Sequence, residues 1–417
     1  MMIVFYNLTI RILAAFTSFA LLFHAKAALF VHGRKNIFKR LKADFSNQKK
    51  PIVWVHCASL GEFEQGRPVM EAIKNEFPGV GILLTFFSPS GYEVRKNYPV
   101  ADYVYYLPWD TAPNAKRFIE MVKPSLAIFV KYEFWHHYTL ALQTHNIPLL
   151  SISAIFRNDQ LYFKSFGGFY RKILKRFNYF FVQNTESKKL LTSIDIPHVN
   201  VAGDTRFDRV MQIVSNAEEV LLAQKFKAGQ KTFVIGSSWP EDIEVLAPFI
   251  NEQRHGLKFI IAPHEITESS LQTLENSLLV KSIRFSKADS FASLDEYTVL
   301  IIDNIGMLSR LYRYGEFAYV GGAFGKGLHN ILEAACYGIP VFFGNKNFEK
   351  FKEAVDLINR GGAFDVKDYT DLIQKYEMVN VPENFMLACE VTRSYVEENL
   401  GATEKIMKYC RTLLNAN

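Results

Sequence analysis

Short apolar runs, separated by helical stretches, recur along the chain from residue 51 onward. IVWVH at 52–56, GILLTF at 81–86, VYYL at 104–107, SLAIFV at 125–130, PLLSI at 148–152 and YFFV at 179–182 form a first series. Runs this short and this continuous read as strands buried on both faces, the habit of parallel sheets. Helical stretches fill the gaps, the first at 64–77. That rhythm predicts a doubly wound α/β domain. VAGDTRF at 201–207 closes the series, and a polar helical stretch at 208–229 leads to a second one. Its strands are TFVIG at 232–236, KFIIA at 258–262, YTVLII at 297–302, FAYV at 317–320 and PVFF at 340–343, and 382–414 reads as helix. The second half repeats the architecture without repeating the sequence.

The N-terminal pattern is different. Residues 1–23 are almost wholly apolar, broken by Asn7, Thr9 and Arg11. The run 12–23 alone is about two thirds of a membrane span. Adding 3–10 gives full length but places Arg11 inside, at about 2.5–3.5 kcal/mol on insertion scales before snorkelling relieves it. The segment is therefore expected to anchor the chain, either spanning or lying in the interface. A cleaved signal peptide is the rival, since Ala25-Lys26-Ala27 resembles a cleavage site. Against it, Lys26, Arg34, Lys35, Lys39, Arg40, Lys42, Lys49 and Lys50 follow the apolar run, opposed only by Asp44. Basic residues there hold the downstream chain on the cytoplasmic side and suit anionic headgroups.

A chain of 417 residues, 49% hydrophobic, is too long for one ordinary core. The expected plan is an anchor at 1–25, a first Rossmann-like domain at 26–207, a linker at 208–229, a second Rossmann-like domain at 230–381 and C-terminal helices at 382–417 that can pack back on the first domain. A net charge of +6 is too diffuse to argue for a nucleic-acid partner. Cys57, Cys336, Cys389 and Cys410 form no CxxC pair and have no zinc-type spacing, so no metal is expected and the thiols read as buried and reduced.

Two constellations can carry chemistry. Ala58-Ser59-Leu60-Gly61-Glu62-Phe63 follows the first strand and opens a helix. A sugar hydroxyl needs a general base to become a nucleophile, and a carboxylate can serve; alternatively, Glu62 only complements the helix dipole. The second runs from Gly321 and Gly322 through Phe324, Gly325, Lys326 and Gly327 to Asn330, Ile331, Leu332 and Glu333. Strand, glycine loop and helix together suit a phosphate, and Glu333, one turn into the helix, can accept ribose hydroxyls. No Lys-Ser/Thr follows Gly327, so this is not a P-loop. Glu133, Arg206, Ser237, Ser238 and His264 each lie just past a strand end, where ligands of such sheets bind. Each alone also fits a structural role.

These residues carry a resemblance. The chain resembles the bacterial 3-deoxy-D-manno-octulosonic acid (Kdo) transferases nearly end to end, from Gly33-Arg34-Lys35 to the C-terminal helices. ASLGEF is similar to the family's catalytic motif, and GGAF…GLHNILEAACYGIPV…NF, with Gly338, Pro340, Asn347 and Phe348 in order, to its nucleotide motif. Gln183, Glu186, Gly203, Phe207 and Asp208 also fall in place. The resemblance implies the GT-B plan of two Rossmann-like domains facing a cleft. It further implies an inverting, metal-independent transfer of Kdo from the co-substrate CMP-Kdo to a lipid A precursor, lipid IVA, at the cytoplasmic face of the inner membrane, with no cofactor. Glu62 would be the base. Glu133 and Arg206 would line the reacting centre, Arg206 offsetting phosphate charge. Pro263, His264, Ile305, Gly306, Met307, Gly322, Asn330, Ile331, Leu332 and Glu333 would hold the donor. The basic segment at 26–50, with Arg157 to Arg176, would meet lipid phosphates.

The chain departs from the family where an Arg-His-Pro run becomes His264-Glu265-Ile266. The run Glu-x-Trp-Pro-Asn ends here in His136-His137, an Asn-Ala-Arg segment becomes 153–157 (SAIFR), and a Lys becomes Arg206. A GT-B enzyme using a UDP-sugar, either a lipid-linked N-acetylglucosaminyl transferase or an epimerase, and a non-catalytic membrane nucleotide-sugar binder are the alternatives.

Overall fold

The structure, a computed structural model, describes residues 2–21, 23–215, 218–252, 256–288 and 293–415. It divides into two compact units, one of residues 1–209 with 400–417 and one of residues 210–399.

The first unit is built on strands β1 (Ile52–Cys57), β2 (Gly81–Phe86), β3 (Tyr103–Tyr106), β4 (Leu126–Val130), β5 (Leu149–Ala154), β6 (Tyr179–Val182) and β7 (Val199–Val201). All pairings are parallel, in the order β3-β2-β1-β4-β5-β6-β7. Alternate residues of the apolar runs go to opposite faces. Trp54, Leu83 and Phe129 enter one core layer, and Val53, Val55, Leu84 and Ile128 the other. The second layer is closed by Phe63, Val69 and Met70 of the Leu60–Glu76 helix and by Ile406, Met407 and Cys410 of the Ala402–Leu414 helix. Asp208 fixes that last helix by accepting from the Gly401 and Thr403 N–H groups at 2.7 and 2.6 Å.

The second unit holds β8 (Thr232–Ser238), β9 (Lys258–Pro263), β10 (Ser282–Arg284), β11 (Val299–Ile301), β12 (Phe317–Val320), β13 (Val341–Gly344) and β14 (Ala363–Val366). They too are all parallel, in the order β10-β11-β9-β8-β12-β13-β14. The strand order turns about the first strand of each sheet, between β1 and β4 and between β8 and β12, and in the second sheet β10 lies outside β11. Ligands of open α/β sheets bind outside the carboxyl ends of the strands at such a point.

Several expectations need correction. β7, β10 and β14 have no counterpart in the apolar runs, because edge strands of three or four residues carry too little pattern. The first helix begins at Leu60, four residues before the expected 64, since Gly61 and Glu62 belong to its first turn. The 382–414 stretch is two helices, Pro382–Glu398 in the second unit and Ala402–Leu414 in the first, broken where Gly401 takes φ 92°. The expected linker is two helices, Thr205–Ser215 and Leu221–Lys227. The latter buries Ala223 and Phe226.

Met2–Ala20 is the helix among the described residues long and apolar enough to cross a membrane. The basic segment behind it is only partly available for lipid. Arg34 lies over Phe30 with Phe87, Tyr106 and Trp109 around it, and donates to the carbonyls of Phe30, Phe87 and Leu107 at 2.7–3.0 Å. Gly33 must be glycine, because a Cβ would fall 2.1 Å from the Tyr106 ring. Arg171 and Arg176 likewise spend their guanidinium groups on carbonyls of Tyr162, Lys164 and His136.

Candidate active site

At the carboxyl end of β1 the chain turns directly into the Leu60–Glu76 helix. Gly61 is not required by that turn: its φ is not positive and an added Cβ would meet nothing within 4 Å. The glycine leaves open space beside Glu62 instead. The Glu62 carboxylate folds back and accepts the Ala58 N–H. A carboxylate that only capped an exposed helix end would become more acidic. Here burial, and then the charge of Glu133, push Glu62 up to about 8, against the pull of the Ala58 and Ser59 N–H groups and Lys131.

Glu133 follows β4, across the reversal point from Glu62. Its Oε2 lies 2.9 Å from His56 Nε2 and accepts the Trp135 indole N–H at 2.7 Å. The His56 Nδ1 is 2.8 Å from Thr85 Oγ1, which accepts the Trp54 indole N–H at 2.8 Å. Nδ1 also lies 3.1 Å from the Thr85 carbonyl, and the Trp135 indole N–H is 3.3 Å from Nε2, so His56 bridges Thr85 to the Glu133–Trp135 pair. His56 is wholly buried. The two carboxylates therefore differ: Glu133 is tied to His56 and to the Trp135 N–H, and Glu62 is left next to its charge.

Arg206 opens the Thr205–Ser215 helix and pairs with Asp204, its Nε at 2.9 Å and its terminal nitrogen at 2.8 Å from Oδ2. Gln65 Nε2 adds two bonds of 3.1 Å to the same carboxylate. Burial pushes Asp204 up, but the charge and hydrogen bonds of Arg206, with Lys131, more than offset it and hold it below the usual range. Arg206 is thus already paired with Asp204.

In the second unit, Asp242 joins the loops after β8 and β12. Wholly buried, it accepts from the Trp239 and Gly322 N–H groups at 2.8 and 2.9 Å and from the Tyr319 hydroxyl at 2.8 Å. The loops touch so closely that a Cβ on Gly321 would fall 2.4 Å from the Ser237 carbonyl. Trp239 stacks on His264, with centroids 4.2 Å apart, and its indole N–H donates to His329 Nε2 at 3.1 Å. His264 stacks on His329 in turn, at 4.8 Å. A cavity of about 380 Å³ opens beside Trp239 and Pro263, walled by Ile243, Ala247 and Leu274.

The donor-side residues are placed as follows. Pro263 ends β9, and the His264 N–H donates to the Ser238 carbonyl at 2.9 Å. Ile305 is exposed, Gly306 takes φ 91°, and Met307 precedes the short Leu308–Leu311 helix, whose Leu308 lies against Gly236 at the end of β8. Gly322 takes φ 97° beside the His329 ring. Asn330 Nδ2 donates to Glu333 Oε1 at 3.2 Å. The helix starts only at Leu332, so Glu333 lies in its first turn rather than one turn in. Ile331 and Leu332 point into the core and offer a ligand only their backbone. Sequence reading missed His56, Trp135, Asp204, Trp239, Asp242 and His329. The signal existed for His56, the one polar residue in a buried strand run, and for Asp242, in the first turn after a proline-opened helix start. Among the described residues no group of three or more His, Cys, Asp or Glu is gathered as a metal site would be.

Residues 34–209 match a family model described as 3-deoxy-D-manno-octulosonic-acid transferase (kdotransferase). The 3-deoxy-D-manno-octulosonic acid transferase of Aquifex aeolicus is 29% identical over 87% of this chain and 97% of its own. That of Chlamydophila psittaci is 28% identical over 83% of this chain and 82% of its own. Among solved structures, a UDP-GlcNAc 2-epimerase from Neisseria meningitidis superposes with a TM-score of 0.60 at 16% identity, covering 88% of this chain and 100% of that one. MurG of Acinetobacter baumannii gives 0.56 at 11% identity, over 87% and 99%. At these identities the structural likeness speaks for the GT-B fold alone.

Proposed function

The chain belongs to the Kdo transferase family of glycosyltransferases, and from that premise we propose that it moves Kdo from CMP-Kdo to lipid IVA with inversion and without a metal. Kdo transfer is what the named relatives share. The observation that carries it is Glu62, a half-buried carboxylate at the carboxyl end of β1 whose proton affinity is raised to about 8. A base of that strength is ionised in part at neutral pH and gains more from taking a proton than an ordinary glutamate does.

In the proposed step, an acceptor hydroxyl attacks the anomeric carbon of Kdo as Glu62 removes its proton. The new C–O bond forms while the bond from that carbon to the CMP phosphate oxygen breaks, and CMP departs with the electron pair. The leaving group is a phosphate of low basicity, so no strong acid is required. Glu133, held by His56 and Trp135, keeps Glu62 basic and faces the sugar. The Arg206–Asp204 pair orders the floor of the site. In the second unit, the Gly322 loop and the backbone of 330–333 would take the nucleotide, with Glu333 on the ribose. Pro263, His264 and 305–307 would complete the donor site. The Met2–Ala20 helix and the remaining exposed lysines of 26–50 would keep the enzyme at an anionic inner-membrane surface where its acceptor resides.

The test is to incubate the full chain with a tetra-acylated lipid A precursor and either CMP-Kdo or UDP-GlcNAc, and to weigh the lipid product. Addition of Kdo with release of CMP is expected. Turnover of the UDP-sugar alone would replace this reading with that of another GT-B enzyme.

A further inference from the structure

The apolar N-terminal helix has two faces. Phe5, Leu8, Ile12, Phe16 and Phe19 are exposed, at spacings of three and four that form one stripe. On the other side Tyr6, Asn7, Ala14 and Thr17 are half-buried and Ile10 is buried. The helix therefore lies along the first unit with one side already occupied.

Its contacts there are polar and specific. The Tyr6 hydroxyl donates to the Asp110 carboxylate and accepts the His136 N–H at 3.2 Å. Asp110, 1% exposed, accepts the N–H groups of His137 and Tyr138 at 3.1 and 3.0 Å. These three N–H groups open the His136–Thr144 helix and have no partner within it. Its capping residue, Trp135, supplies no side-chain bond. Tyr6 and Asp110 together therefore do the work of a cap. Asn7 Oδ1 sits 2.7 Å from His137 Nε2, and the Tyr6 ring packs on both histidines. The family run that ends in Pro-Asn thus ends here in two histidines that meet the N-terminal helix. The capping residue itself donates its indole N–H to Glu133. A shift of the helix start moves Trp135, and Trp135 moves the Glu133 carboxylate.

We propose that the N-terminal helix is part of the catalytic apparatus as well as an anchor, with Tyr6 a positioning residue that holds the 133–136 segment through Asp110. The inference rests on the reading of Glu133 as a member of the reacting centre. It makes the lipid-facing helix and the carboxylate pair one mechanical unit.

The test uses the full chain in detergent micelles with CMP-Kdo and the tetra-acylated precursor, comparing wild type, Tyr6→Phe, Glu133→Gln and the double variant. Tyr6→Phe is expected to lower kcat by about ten- to a hundred-fold, the cost of a misplaced group. The KM for CMP-Kdo and partition onto phosphatidylglycerol vesicles should stay unchanged. In the Glu133→Gln background the same substitution should cost less than about two-fold, because its route to the chemistry is already cut. A Tyr6→Phe kcat within about two-fold of wild type, or an undiminished loss in the Glu133→Gln background, overturns the proposal. If Tyr6→Phe does not fold, Asn7→Ala is read in the same cycle, with a smaller loss and the same non-additivity expected. A wild-type chain that moves no Kdo sinks the functional reading and this inference with it. Wild-type turnover beside an unaffected Tyr6→Phe sinks the inference alone.

Discussion

Glu62→Gln separates a base from a cap. The isosteric amide keeps an oxygen for the Ala58 N–H but cannot take a proton. The Glu62 carboxyl is raised from 4.5 to about 8, chiefly by burial and then by the charge of Glu133. At about 1.4 kcal/mol per unit, that shift corresponds to roughly 5 kcal/mol between the two protonation states. Two consequences follow, with opposite signs. For catalysis, about one enzyme in ten carries the ionised base at pH 7, so kcat/KM should rise roughly tenfold per pH unit below 8 and level off above it. For folding, a raised carboxyl contributes stability that is complete below about 4.5 and gone above about 8. Wild type should therefore lose stability relative to Glu62→Gln as pH rises through that window, while the variant has no turnover at any pH. The assay is release of CMP from CMP-Kdo between pH 5.5 and 9.5, beside thermal melts of both proteins. Replacing Glu133 by Gln should move the inflection to lower pH, because one of the two causes of the shift is removed. A profile flat across pH 6–9, or Glu62→Gln turnover near the wild-type level, would show that the acid serves only the helix end.

Asp242→Ala leaves the Trp239 and Gly322 N–H groups without their acceptor and should destabilise the second unit by about 2–4 kcal/mol; denaturant melts and CMP affinity should fall together. Gly321→Ala forces a Cβ to within 2.4 Å of the Ser237 carbonyl, so loss of CMP binding is expected with only about 1–3 kcal/mol lost overall, read by calorimetry beside a melt. Arg206→Ala should cost about 2–3 kcal/mol, less than a fully buried pair because Arg206 is 27% exposed. The depressed Asp204 makes that contribution present above about pH 3.8 and lost as pH falls through its lower folded value, so melts of wild type and variant should converge in acid.

The amino-acid order by itself determined the two parallel sheets. Buried strands such as β1 and β9 are short, mostly apolar runs rich in β-branched and aromatic residues, the habit of strands covered on both faces. It also determined where chemistry could sit, because a Gly-Glu pair and a glycine loop directly follow strands. The tertiary structure decided the rest, since those facts depend on residues far apart in the chain. The proton affinity of Glu62 comes from burial and from Glu133, which lies on another strand connection. The contacts of His56 come from Thr85 on the neighbouring strand and from Glu133 beyond β4. Arg34 looked like a lipid ligand by composition but donates to three carbonyls, and the pairing of Arg206 with Asp204, itself held by Gln65, exists only in the folded chain. The N-terminal segment shows the division most plainly. Its hydrophobicity is a property of local composition, whereas the docking of Tyr6 on Asp110 depends on the first sheet being folded beneath it.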